Sequence, residues 1–581
     1  MKLSRYGLLA AGLCVTLFSG SAMANENENA PKKEKRAQQK VEIKVVPVGP
    51  TQEAIDAAKA RVERSPAVQK ELAGTKYRLL EFNYLENENK SQAMQMPTRF
   101  LVTFYDYTND RTIVAEGDFA GTENIKVRRE SFQPNPSPEE YSEALRILGR
   151  DARLGAALRG EQARTFPPMP PVSILDGTTE RLVNVGIRGF DGGADEIVGV
   201  SIIRGEVVRY AQNAPPVSRG AVSPDACGIP DANQAATGRG LAGQYQMTAT
   251  QNGTTLWEML VIRPSASSGT KASGVEIRDV KFKGKSVLKR GHIPVLNVRY
   301  VNNACGPYRD WQYAEDNFNV PTAGTTYPNG TTGGIALLAA GQIPTTSLES
   351  GTDTGNFRGV AIYRQNNETV LVTELDADWY RYIMEWRFAD DGTIRPRFGF
   401  GATESGCVCN IHVHHAFWRL DFDVVNPNNK VFQVERGRKF LQPIATEMTR
   451  LKSLQTNRSL LIQNSTGDEA YMLVPNKTDG VADDFGKSDM WVMRYKNVTG
   501  GTNLQNELDD GYTGVSGSEA NVSIRIDQFI NNESIVDQDV VVWYGTHFIH
   551  SDGASLINPE RSPTILSGTH VVGPDLRPVR W

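Results

Sequence analysis

The sequence predicts a mainly β protein in which a large antiparallel β-sandwich is preceded by small α+β units. Three observations carry this. From about residue 216 onward, apolar runs of strand length are separated by Gly, Asn, Asp and Thr clusters. Helical spacing of apolar residues is concentrated in two stretches between residues 51 and 158. Strand-like runs there and downstream are joined by turn sequences such as Thr108-Asn109-Asp110, Ala389-Asp390-Asp391-Gly392 and Asn426-Pro427-Asn428-Asn429.

The chain opens on Lys2 and Arg5, an apolar run GLLAAGLCVTLFSG, and Ala22-Met23-Ala24. That is the three-part pattern of a secretory signal, so residues 1–24 are expected to be cleaved and the protein to be periplasmic or secreted. Leu13 precedes Cys14 where a lipid-anchor cleavage site needs a small residue. No later stretch approaches the roughly 20 apolar residues of a membrane span. Residues 1–24 carry two bases and no acid, so their removal takes the formal net charge from −4 to −6. This mild acidity argues against a nucleic-acid partner. Four cysteines remain (Cys227, Cys305, Cys407 and Cys409), an even count that favours disulfides in an exported protein.

Residues 25–50 are charged and amide-rich, which predicts a disordered leader. A helical pattern fills TQEAIDAAKARVERSPAVQKEL, and the runs YRLLEFNYL, RFLVTFYDYT and RTIVAEGDF read as strands. A second helix should open at Ser137-Pro138-Glu139-Glu140, with Ser as N-cap, Pro in the first turn and acids at the positive end of the dipole. These elements make one small α+β domain over 51–165. The prolines of FPPMPP begin a second strand-bearing segment, 166–215, and the sandwich takes 216–581.

Chemistry gathers in CNIHVHHAFWRLDFDV, which holds three of the seven histidines. Side chains at i and i+2 of a strand share a face, so His412 and His414 project together while Cys407, Cys409 and His415 face away. A metal would need a further donor from another strand. DVVVWYGTHFIH offers His547 and His550, of which alternation lets only one reach the site. Three imidazoles with an open position suit copper or zinc, and imidazole alone does not choose between redox and hydrolytic chemistry. Upstream, Tyr380, Tyr382, Met384, Trp386 and Phe388 share one strand face, and Arg381, Ile383, Glu385 and Arg387 the other.

Taken in order, these motifs resemble the catalytic domain of the copper-containing amine oxidases. The family pattern is Asn-Tyr-Asp/Glu-Tyr, then Trp, Asn-Gly and Gly-Ala-Thr-Gly; this chain has Trp379-Tyr380-Arg381-Tyr382, Trp386, Asp391-Gly392 and Gly401-Ala402-Thr403. His412-Val413-His414 and Arg419-Leu420-Asp421-Phe422-Asp423-Val424 match the His-x-His and Arg-Leu-Asp-x-Asp-Val that follow. His550 keeps the family interval of seven residues after Trp543. The resemblance extends back to about residue 185 and forward through the ending PTILSGTHVVGPDLRPVRW.

The resemblance implies copper on His412, His414 and His550, and topaquinone made from Tyr380. It implies oxidative deamination of a primary amine by O2, yielding aldehyde, ammonia and hydrogen peroxide, in a homodimer. It places the proton-abstracting base at Asp316, with Glu315 adjacent, in Tyr313-Ala314-Glu315-Asp316-Asn317-Phe318, where the family's glycines are absent. It implies structural calcium on Asp421, Asp423 and Asp539 and on the carbonyls of Phe422 and Val540. Trp379 and Arg381 depart from the family's Asn and acid, and by alternation both lie behind Tyr380. Two other functions fit the same residues: an exported copper-binding relative that makes no quinone, and a three-histidine zinc hydrolase.

Overall fold

Alternation in the Val41-Glu42-Ile43-Lys44-Val45 stretch is strong enough to build a strand, Val41–Val48. It pairs antiparallel with Gln244–Gln251, from Val41 opposite Gln251 to Val48 opposite Gln244. This corrects the leader expected over 25–50. Charged neighbours dominate the composition there, but Val41, Ile43 and Val45 share one face and join the sandwich core. The computed structural model describes residues 40–50, 52–85, 98–130, 134, 136–160, 162–166, 174–175, 178–179, 181–189, 196–208, 243–267, 273–300, 308–309, 334–344, 346–347, 359–377, 380–402, 408, 411–436, 439–453, 455–483, 486–495, 526–550, 564–565 and 570–581. The expected signal segment and the rest of the leader lie outside them, as do Cys227, Cys305, Cys407 and Cys409.

The first helical pattern resolves into two helices, Gln52–Glu63 and Pro66–Leu72. Pro66 has no N–H to continue the first helix, and Ser65 caps the second by accepting from Val68 N at 3.3 Å. Val62, Val68 and Leu72 pack against Phe100, Val102 and Phe104 of a four-stranded sheet, Tyr77–Leu85, Arg99–Asp106, Arg111–Asp118 and Lys126–Glu130.

The helix Pro138–Leu148 starts with a capping box in which Ser137 and Glu140 satisfy each other's backbone N–H groups. It packs mainly on a second four-stranded sheet, Ala163–Phe166, Leu182–Gly189, Glu196–Ser201 and Glu206–Val208, while Leu80, Tyr105 and Tyr107 of the first sheet join the same cluster. Glu140 also takes a bidentate pair from Arg181, at 2.7 and 2.6 Å, with both side chains fully buried. Removing one partner of such a pair costs about 3–5 kcal/mol.

Among the described residues the sandwich is two 11-stranded sheets. The first runs Val41–Val48, Gln244–Gln251, Thr254–Ile262, Glu276–Phe282, Lys285–Tyr300, His412–Phe422, Val540–His550, Met490–Arg494 and Met448–Arg450. At the centre of the second, Glu368–Ala377, Tyr380–Ala389 and Ile394–Ala402 form an antiparallel meander. One apolar core joins the sheets, with Leu296, Trp418 and Val542 meeting Tyr382, Trp386 and Phe398. Trp386 and Trp418 make an edge-to-face pair at 5.2 Å, and Trp386 Nε1 donates to Val275 O at 2.9 Å. The turn at Ala389–Gly392 is closed by Gly392 N donating to Ala389 O, and Gly392 takes φ of +95°. No helix among the described residues is long and apolar enough to cross a membrane.

Candidate metal centre

The strand His412–Phe422 lies between Lys285–Tyr300 and Val540–His550, and its alternation sorts its histidines as the sequence requires. His412 and His414 share the inward face with Ala416, Trp418 and Leu420, and are completely buried. The register sets His412 opposite His550, His414 opposite Phe548 and His415 opposite His547. Directly opposed residues share a sheet face, so position 550 belongs with His412 and position 547 with His415. The side chain of His550 lies outside the described part of the structure.

Tyr380 begins the facing strand and is 1% exposed. Its phenol oxygen stands 3.0 Å from His412 Nε2 and is hydrogen-bonded to the phenol of Tyr300. Tyr382 Oη lies 3.4 Å from His414 Nδ1. Phe548 stacks on His414 at 4.8 Å, and Phe400 packs against the same ring at 4.4 Å. Two imidazoles and three phenols are thus enclosed by aromatic carbon between the sheets. Tyr300 was not singled out in the sequence. It sits opposite His412 across the strand pair, and only that register reveals it.

Arg381 lies behind Tyr380, buried at 2% exposure, and its Nη1 donates to the carbonyl of Tyr380 at 3.0 Å. Trp379, Glu315 and Asp316 lie outside the described residues.

The acids after the histidines form a second cluster. Asp421, Asp423 and Asp539 each present a carboxylate oxygen, all within 4.8 Å of one another. Phe422 and Val540 are register partners between these acids, so their backbones belong to the same corner of the sheet. An all-oxygen donor set of this kind fits a hard cation such as calcium.

No family model matches this chain, nor does any curated protein sequence. Solved structures do. A copper-containing benzylamine oxidase from Hansenula polymorpha aligns over 88% of this chain and 95% of its own, with TM-score 0.51 and 14% identity. An amine oxidase from Aspergillus nidulans aligns over 92% and 88%, with TM-score 0.52 and 14% identity. A lysyl oxidase from Pichia pastoris aligns over 91% and 88%, with TM-score 0.50 and 13% identity. The chain has the fold of the copper-containing amine oxidases.

Proposed function

We propose that this chain is an exported, homodimeric copper-dependent primary-amine oxidase whose quinone derives from Tyr380. The observation that carries the reading is the Tyr380 phenol 3.0 Å from His412 Nε2, on a strand whose inward face also holds His414 and whose register partner is His550. The donor set fits copper, since imidazoles presented on one face of a strand pair are ligands that ion favours. His412, His414 and His550 would hold it. Copper bound there would supply dioxygen chemistry at the Tyr380 ring, and a topaquinone derived from Tyr380 would supply an electrophilic carbonyl for a primary amine.

The chain's own residues have separable tasks in this reading. Tyr300 fixes the direction of the Tyr380 phenol through their shared hydrogen bond. His412 Nε2 is within proton-transfer distance of that phenol. Phe400 and Phe548 keep water from the rings, which strengthens every polar interaction inside. Asp316 is assigned as the base that takes the substrate's α-proton. Calcium at Asp421, Asp423 and Asp539 ties the histidine strand to its neighbour.

A second reading rests on the same bonds. Tyr380 is held by Tyr300 at its phenol and by Arg381 at its carbonyl, and a residue so restrained would serve a copper-binding protein that never forms quinone. One experiment separates the two. Copper-loaded, aerated protein is treated with phenylhydrazine and digested, and the Tyr380 peptide is weighed. A coloured adduct there, absent from Tyr380→Phe, supports the oxidase. Full copper occupancy with a colourless, unreactive protein refutes it.

A further inference from the structure

The alternation that turns His412 and His414 inward sends His415 to the other face of the same sheet. His547 meets it there from the neighbouring strand. Both rings are buried, at 0% and 1% exposure, and their Nδ1 atoms stand 2.8 Å apart. Behind each ring, on the far nitrogen, is a carboxylate. His547 Nε2 is 3.0 Å from Asp489 Oδ1, and His415 Nε2 is 3.8 Å from Asp483 Oδ1. Asp489 is fixed in turn by the backbone N–H groups of Lys452 and Ala482, at 2.5 and 2.8 Å, and by Lys452 Nζ at 3.6 Å.

His547, with Asp489 at 3.0 Å from its far nitrogen, has the surroundings of a ligating histidine, and Asp483 approaches His415 on the same side at 3.8 Å, beyond direct hydrogen-bond distance. A metal-bound imidazole directs one nitrogen at the ion and gives its other N–H to a carboxylate, which sets the tautomer and raises its basicity. Two nitrogens 2.8 Å apart, each about 2.0 Å from an ion, subtend an angle of about 90°. That suits neighbouring corners of a tetragonal site.

Space agrees with an ion. Asp489 and Asp483 flank the pair, Lys452 Nζ stands 3.6 Å from Asp489, and Arg299 acts on Asp483 from the adjoining strand. Residue 486 is glycine where a side chain would intrude: a Cβ there would lie 2.9 Å from His415 Nδ1 and 3.1 Å from His547 Nδ1. The Asp483 side chain is 36% exposed, so water can approach from that side to complete coordination.

We propose that His415 and His547 form a second metal site, binding one divalent first-row transition ion of the copper class through their two Nδ1 atoms. Asp489 and Asp483 act as the outer carboxylates that hold the rings. Without the ion, one Nδ1–H donates to the other Nδ1. With it, the His415 proton moves from Nδ1 to Nε2, where Asp483 stands, so both Nδ1 lone pairs are available and no net proton is released. The site lies on the opposite face of the sheet from the Tyr380 centre and does not depend on the function proposed there.

The test uses the full chain carrying His412→Ala and His414→Ala, stripped with chelator and kept in excess calcium chloride. Titration with Cu(II), followed by calorimetry and electron paramagnetic resonance, is expected to give one ion per chain with two coupled nitrogens. Adding either His415→Gln or Gly486→Ala should abolish that ion. Gly486 has no positive φ, so alanine there costs space and not backbone strain. A chain that binds no Cu(II), or keeps its ion in both added variants, overturns the site. Should the double-alanine chain fail to fold, the same two substitutions in the otherwise unaltered protein must each remove one ion per chain. The count then falls from two to one if the Tyr380 centre holds copper and from one to none if it does not. No fall in either case overturns the proposal.

Discussion

The phenol of Tyr300 is hydrogen-bonded to the phenol of Tyr380, 80 residues further along the chain and on the opposite sheet. That bond crosses the sandwich at the candidate centre, and it aims the one ring on which the proposed chemistry depends. Tyr300→Phe removes the bond while keeping the ring that packs 4.8 Å from His412. The stability cost is expected to be about 1 kcal/mol. Copper content should be unchanged, whereas phenylhydrazine labelling of Tyr380 should slow by about tenfold, roughly 1.4 kcal/mol on the barrier. An unaltered labelling rate would mean that Tyr300 does not direct the phenol.

His550 and His547 separate the two faces of their strand. Position 550 is the register partner of His412, and position 547 that of His415. His550→Ala should therefore eliminate hydrazine labelling at Tyr380, and His547→Ala should leave it in place. The reverse pattern, read by peptide mass, would show that the assignment of faces is wrong.

Asp421, Asp423 and Asp539 bring three carboxylates together at a corner of the first sheet. Like charges so close repel unless a cation joins them, and an ion bound only in the folded state stabilises it by mass action. At an excess of 100-fold over Kd that is about 2.7 kcal/mol. Calcium should raise the unfolding temperature of the wild type, and Asp423→Asn should lose most of the increase. A melting curve indifferent to calcium and chelator would remove the site.

Glu276 is fully buried and bonded to Arg278, with Arg290 Nε at 3.3 Å. Burial by itself would raise its carboxyl, but Arg278, Arg290 and His292 hold it down at about 2, against an ordinary value of 4.5. Because the folded carboxyl is the more acidic, its contribution is complete above pH 4.5 and is lost as pH falls towards 2. The shift corresponds to about 3 kcal/mol. Denaturant titrations from pH 5 to 2.5 should show a shallower acid loss for Glu276→Gln than for wild type. Parallel curves would mean that another carboxylate governs acid unfolding.

What the sequence disclosed about this molecule follows from period and phase. A two-residue repeat fixes which face a strand residue takes, so the inward pair His412 and His414, the outward His415 and the face shared by Tyr380, Tyr382 and Trp386 were all legible. Long-range register is not encoded in any local window. That is why no local motif marks Tyr300, and why alternation alone leaves open which of His547 and His550 turns inward and does not show that His415 and His547 meet. The helix Pro138–Leu148 was legible from its cap, but an amphipathic face does not name the sheet it will cover. Val41–Val48 was lost in its charged neighbours because a mean over composition erases an alternation only a few residues long.

The pairing of Val48 with Gln244 makes everything between them a detour. The chain lays down one strand of the sandwich, leaves to build both small domains, and returns beside the residue from which it departed. A tight hairpin of a few residues would close the same gap. In topology the small domains are therefore an insertion between two paired strands, and a chain with 49–243 replaced by such a turn is expected to retain the sheet that carries both histidine pairs. The same geometry sets an order for synthesis. The first strand must wait, unpaired, until the whole insertion has emerged and its partner arrives.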